Sequence, residues 1–179
     1  MLDLNNTALI IIDVQGKLAD LMYEKETLFK NLTQLVKGAF LLKIPILMTE
    51  QNPRGLGPTI PEIMDLLPDI EPIPKMSFNC CADEEFMERL KKIDRKQLLI
   101  TGIESHICVY QTAMDLVNMG YEVQVVSDAV SSRVPENRSI ALQRMGDAGI
   151  KPTSVEMALF ELIKTAEYTD FRKLSSIIK

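Results

Sequence analysis

The segment Thr7-Ala-Leu-Ile-Ile-Ile12 runs apolar without alternation after its first residue. A strand with one wet face shows every second side chain polar, whereas an unbroken aliphatic run fits a parallel strand covered on both faces. Such a strand commits the chain to an architecture. Parallel neighbours need crossover connections, and the crossovers are helices that shield the two faces of the sheet.

The rest of the 179 residues supplies those parts in alternation. Residues 24–43 carry Leu28, Leu32, Leu35, Val36, Ala39 and Phe40 at the spacing of one helical face. Pro45 to Glu50 reads as a second strand, and Gln51 to Pro58, with two glycines and two prolines, as a loop. A third strand is expected near residues 70–74, just before Lys75, in a stretch punctuated by Pro61, Pro68, Pro72 and Pro74. Asp83 is the N-cap of a helix that turns Phe86, Leu90 and Ile93 inward. A strand at 97–102, a helix at 107–119 closed by Gly120, and a strand at 121–126 follow, then the polar segment Ser127 to Arg133. Pro135 opens another helix, which stops at Gly149. A short strand at 151–153 and a helix bearing Val155, Leu159, Leu162 and Ile163 complete the unit. In the tail, Phe171, Leu174, Ile177 and Ile178 have helical spacing, so it is expected to dock on a neighbouring element or on another subunit. The reading is one α/β domain over residues 1–179, three layers deep and doubly wound. Its sheet has six mainly parallel strands in the order 3-2-1-4-5-6.

Composition narrows the function. A net charge of −5 lacks the basic surface that nucleic acids and anionic membranes require. No apolar run approaches the length of a membrane span, and the start of the chain lacks the pattern of a signal peptide. Three cysteines, two of them the neighbours Cys80 and Cys81, make no disulfide framework, and one histidine leaves little for a zinc site. The expected setting is a reducing cytoplasm and the expected partner a small molecule, with no nucleic acid and no membrane.

The chemistry concentrates after the fourth strand, in Gly102-Ile-Glu-Ser-His-Ile-Cys108. A tight loop there delivers a cysteine to the start of a helix, where unpaired N–H groups and the dipole stabilise a thiolate. In an open parallel sheet the ligand crevice lies outside the carboxyl ends of the strands, where strand order reverses. With strands one and four adjacent, Asp13 and Cys108 sit at neighbouring strand ends, and Lys75 after the third strand reaches the same edge. Singly, each has a bland reading: a turn cap, a solvated lysine, a small apolar core residue. Together they compose a carboxylate, an ammonium and a thiol at one crevice.

The apolar first strand ending in Asp13, Lys75 in the middle of the chain and the Gly102–Cys108 motif resemble the isochorismatase-like cysteine hydrolases. That superfamily includes nicotinamidases and N-carbamoylsarcosine amidases. The segments Thr49 to Pro58 and Ser127 to Arg133 resemble the short isochorismatase-domain-containing proteins in particular. The resemblance implies Cys108 as nucleophile, Asp13 as the base that takes its proton, and Lys75 as the cation that favours thiolate and orients the carboxylate. It also implies a cis peptide between Ile103 and Glu104, turning the Glu104 N–H towards the site, where it and the Cys108 N–H form an oxyanion hole.

Metal-dependent nicotinamidases place an Asp and two His in the loop after the second strand. Here Gln51 stands at the Asp position and the loop has no histidine, so no metal and no other cofactor is expected. Gln51, Arg54 and His106 are the substrate-binding candidates; each also reads as an ordinary loop residue. The implied reaction is hydrolysis of a small-molecule C–N bond of amide or carbamoyl type through a thioester-like intermediate. Vinyl-ether cleavage of isochorismate, and a scaffold or thiol sensor retaining the fold, stay open as alternatives. Members of this superfamily form dimers or larger assemblies, so a homo-oligomer is expected.

Overall fold

A computed structural model describes residues 1–179. In chain order the elements are β1 Thr7–Ile12, α1 Gly16–Asp20, α2 Lys25–Leu41, β2 Ile46–Gln51, α3 Pro53–Leu56, α4 Pro61–Met64, β3 Ile73–Lys75, α5 Glu84–Ile93 and β4 Gln97–Ile103. Then come α6 Tyr110–Asn118, β5 Glu122–Ser131, α7 Pro135–Asp147, β6 Lys151–Thr153, α8 Val155–Ile163 and α9 Phe171–Ile178. All five strand pairings are parallel, and the sheet order is β3-β2-β1-β4-β5-β6.

Every residue of β1 and β4 is buried, as the unalternated runs require of the two central strands. Side chains alternate in direction along a strand, so β1 feeds two separate cores. Leu9 and Ile11 join α2 and α8 on one face; Ala8, Ile10 and Ile12 join Phe86, Leu90, Ala113 and Leu116 on the other. The tail helix α9 packs on its own chain. Leu174 is fully buried, Phe171 meets Phe160 edge to face, and Gln34 on α2 donates to the carbonyls of Ile177 and Ile178.

Several elements depart from the sequence expectation. Lys75 ends β3 instead of following it, so the lysine is held by a strand and not by a loop. The segment from Ser127 to Ser131 is strand: Ser131 Oγ donates to the Tyr23 carbonyl, Arg138 Nη2 donates to that of Ser127 and Asp128 Oδ1 accepts from the Val155 N–H, while the buried Ser127 hydroxyl has no partner. The loop after β2 contains the short helix α3, started by Pro53. Phe40, expected inward, is 69% exposed: α2 turns its apolar stripe towards the sheet through Leu28, Leu32, Leu35 and Val36, and Phe40 falls off its edge.

Candidate active site

The switch point lies between β1 and β4, and the sequence places a functional side chain at each strand end around it. Asp13 follows β1 with φ of 54°, a left-handed conformation that turns the chain sharply out of the strand. Its carboxylate is 2% exposed. Lys75 Nζ donates to Asp13 Oδ2 at 2.6 Å, and Thr49 Oγ1, from the neighbouring β2, donates to Oδ1 at 2.7 Å. Each oxygen of the buried carboxylate therefore has a donor, which is what makes an ionised group tolerable there.

Lys75 is enclosed as completely. Its ammonium also donates to Gln51 Oε1 at 2.9 Å and to the carbonyls of Ser77 and Phe78. Gln51 in turn donates through Nε2 to the Met76 carbonyl at 2.8 Å. Both ends of the Gln51 amide are thus engaged by the lysine and its loop. Gln15, unremarked in the sequence, pins the same region: its Oε1 accepts from Gln51 N at 2.6 Å and its Nε2 donates to the Gly57 carbonyl at 2.7 Å.

Cys108 lies in a π-helical turn, Ser105–Val109, that leads into α6. Val109 N–H reaches back to the Glu104 carbonyl at 3.3 Å, so the nucleophile candidate sits within a widened turn and not at a regular helix start. Cys108 is buried, at 6% exposure. Burial pushes its pKa well above the ordinary thiol value, the Asp13 charge and a side-chain interaction with Asp13 push it further, and Lys75 only partly opposes them. This corrects the expectation of a thiolate favoured by the helix and the lysine. The ammonium is committed to Asp13, and a buried thiol beside a carboxylate keeps its proton. Cys80 is fully buried next to the same cluster, 3.8 Å from Thr49 Oγ1, with its thiol pushed up to about 11 by burial.

The Ile103–Glu104 peptide is cis. No protein acceptor takes the Glu104 N–H, while the Glu104 carbonyl accepts from Ile107 and Val109. The Glu104 side chain, 5% exposed, faces away to Arg133. His106 is turned to β5 and α7: its Nδ1 is 3.0 Å from Ser132 Oγ and its Nε2 is 3.5 Å from Asn137 Nδ2. Arg54 is exposed on α3 and lines a cleft of about 650 Å³ with Asn52, Lys75, Met76, Ser77 and Asp83. Asp13 and Cys108 do not line that cleft. The structure thus brings Asp13, Lys75, Cys108 and Gln51 together, holds Arg54 at the cleft mouth, and sets His106 aside. Thr49, Gln15 and the side chain of Glu104 are what sequence reasoning missed. No helix of the chain is long and apolar enough to cross a membrane, and no three His, Cys, Asp or Glu side chains converge as a metal set would.

The switch-point site on a 3-2-1-4-5-6 sheet defines a class, and comparisons give it a family. The family model for the isochorismatase domain matches residues 7–157. The secreted isochorismatase effector Isc1 of Phytophthora sojae is 38% identical over 179 residues, covering 98% of this chain and 85% of that protein. Among solved structures, the MAR1 ribonuclease of Caenorhabditis elegans is 33% identical with a TM-score of 0.91, covering 99% of this chain and 91% of that one. YcaC of Pseudomonas aeruginosa, solved with covalent acrylamide, is 26% identical with a TM-score of 0.94 over 99% of this chain and 89% of its own. The Escherichia coli YcaC, described as an octameric hydrolase of unknown specificity, is 28% identical with the same TM-score over 99% and 88%. The chain belongs to the isochorismatase family and is a hydrolase of that family.

Proposed function

We propose that this protein hydrolyses a small-molecule C–N bond, of amide or carbamoyl type, through a covalent intermediate on Cys108 and without a metal. The observation that carries the reading is the buried Asp13–Lys75 pair at the sheet's switch point, with the buried Cys108 thiol close enough for the Asp13 charge to raise its pKa. Because the thiol rests protonated, attack and proton transfer go together. The sulfur adds to the carbonyl carbon, its proton passes to Asp13, and the carbonyl electrons move onto oxygen. The Glu104 and Cys108 N–H groups receive that oxyanion. Collapse expels the amine, which takes the proton back from Asp13, and water then hydrolyses the thioester by the same route in reverse.

Lys75 pairs with the Asp13 carboxylate and orients it, and Gln51 holds the lysine in place. Arg54, free of an acidic partner at the cleft mouth, supplies charge for the substrate. The covalent acrylamide adduct of the Pseudomonas YcaC supports the reading, since it marks a nucleophile in a protein of this fold. The E. coli octamer supports a homo-oligomer, to be checked by light scattering. Three free cysteines support a reducing compartment.

The test is a screen of small amides, carbamoyl compounds and isochorismate, run on the parent and Cys108→Ala together. Turnover lost in Cys108→Ala, with an acyl mass trapped on the parent, is the expected result. Turnover that survives the substitution refutes the covalent route.

A further inference from the structure

The side chain of Glu104 has no place in the chemistry above, yet it is one of the most enclosed carboxylates in the molecule. An ionised carboxylate out of water is costly unless donors meet it. One residue supplies them. Arg133 donates its side-chain Nε to Glu104 Oε1 at 2.9 Å and its backbone N–H to Oε2 at 3.1 Å. His106 Nδ1 lies 3.9 Å from Oε2 and is bound to Ser132.

The sheet register explains why Arg133 is there. Ile100 pairs with Val125 and Gly102 with Val130, so β5 carries three extra residues over that step. The bulge lifts Ser131 level with Ile103 and brings the exit of β5 beside Glu104. That exit is itself anchored: Tyr23 N–H donates to the Ser132 carbonyl at 3.0 Å, Ser131 Oγ to the Tyr23 carbonyl at 2.8 Å, and Arg138 Nε to the Val130 carbonyl at 3.0 Å. Glu104 is therefore held at two points. Its side chain is tied to a fixed strand end and its carbonyl to the turn carrying Cys108, which leaves its N–H as the one backbone group without a partner.

We propose that Arg133 is a positioning residue, whose clamp on the Glu104 carboxylate aims the Glu104 N–H at the oxyanion formed during attack by Cys108. The proposal rests on the cysteine-hydrolase reading and adds to it a residue outside the reacting set. It requires that loss of the clamp harm reactions that pass through an oxyanion and spare those that do not.

Two reagents separate these. With p-nitrophenyl acetate the Cys108 sulfur adds to the carbonyl, its proton goes to Asp13, and p-nitrophenolate leaves from the oxyanion intermediate, giving acetyl-Cys108. With iodoacetamide the sulfur gives its proton to Asp13 and displaces iodide from carbon in one step, with no oxyanion. Arg133→Ala keeps the backbone donor, so acetylation is expected to fall roughly tenfold, short of the 10²–10³ seen when an oxyanion donor is deleted outright. Alkylation by iodoacetamide stays within about twofold, and added guanidinium ion restores part of the acetylation rate. Glu104→Gln, which keeps the shape and loses the charge, gives the same split should Arg133→Ala fold poorly. Equal losses with both reagents, or no loss with either, overturn the proposal. Undiminished acetylation of Cys108→Ala instead places the failure in the nucleophile assignment itself.

Discussion

Thr49, inside β2, and Asp13, just past the end of β1, hold each other twice. The Asp13 N–H donates to the Thr49 carbonyl at 3.2 Å, and Thr49 Oγ1 donates to Asp13 Oδ1 at 2.7 Å. The first bond prolongs the β1–β2 ladder by one residue past Ile12, and the second turns the carboxylate so that its other oxygen meets Lys75. Thr49→Val keeps volume and β-branching and removes only the hydroxyl. It leaves a buried carboxylate oxygen without its donor, at a cost of about 1–3 kcal/mol in unfolding free energy. Acetylation of Cys108 should fall with it, and Thr49→Ser should recover most of both. Urea denaturation and burst kinetics read the two effects, and an unchanged Thr49→Val rate removes the hydroxyl from the orientation of Asp13.

The Asp13–Lys75 pair makes a second, asymmetric prediction. Both side chains are essentially inaccessible, so removing the ammonium strands a carboxylate in the interior. Lys75→Met should lose about 3–5 kcal/mol of stability, the range for breaking a buried pair from one side. Adding Asp13→Asn should return part of that stability, because the stranded charge is gone, while activity stays absent. Melting curves of the two variants side by side check this; a double variant less stable than Lys75→Met argues that the pair contributes more than charge compensation.

The legible part of this molecule is the part with a period. Strands that show no polar alternation could only be central and parallel, so β1 and β4 and the sheet order built from them were readable, as were the Asp83 cap and the Pro135 helix start. Asp13, Lys75 and Cys108 stood out only as a set, each ordinary alone but together a carboxylate, an ammonium and a thiol brought to one sheet edge in a pattern that resembles a known family. Thr49 did not, since a threonine in a strand is an ordinary β-former and only the register shows that it faces Asp13. The β5 extension hid for a related reason: Ser127 to Ser131 looks like loop chemistry until Tyr23, remote in sequence, and Arg138, on the helix that follows, arrive as partners. The state of the Cys108 thiol was misread because proximity to a lysine is visible in a pattern and the loss of water around a sulfur is not.

That loss of water gives the protein a predictable alkaline limit. Burial raises all three thiols above the usual value of 9.0, Cys80 to about 11 and Cys81 to about 12. Above about pH 9 the unfolded chain releases thiol protons that the folded chain retains. The stabilisation is therefore complete below that pH and drains away as pH rises towards the folded values. Urea midpoints should be flat from pH 7 to about 9 and fall beyond, and Cys80→Ala should shallow the fall. Alkylation of Cys108 should climb across the same interval without levelling near the ordinary thiol pKa. A plateau there would mean an ordinary, unshifted thiol, and one at lower pH a thiolate at rest; either is contrary to the buried geometry.

Gly102 sets how closely the two halves of the site approach. It pairs with Ile12 in the β1–β4 register and has φ of +120°, and a Cβ built on it would overlap the Ile12 carbonyl oxygen and crowd the Ile12 nitrogen. Backbone on both sides leaves nothing flexible to yield. The contact matters because Asp13 follows Ile12 and the Cys108 loop follows Gly102, so widening it separates base from nucleophile. Gly102→Ala should cost about 3 kcal/mol or more, from strained φ and overpacking together. Gly120→Ala is the control: its φ is +87°, nothing lies within 4 Å of the added carbon, and only the conformational cost of about 1–2 kcal/mol applies. The comparison isolates the steric part. Gly102→Ala should also slow both acetylation and alkylation of Cys108 in whatever fraction folds, whereas Gly120→Ala should leave both rates alone. Equal stability losses in the two variants would show that the strands can part at Gly102, and that the spacing of Asp13 and Cys108 is set elsewhere.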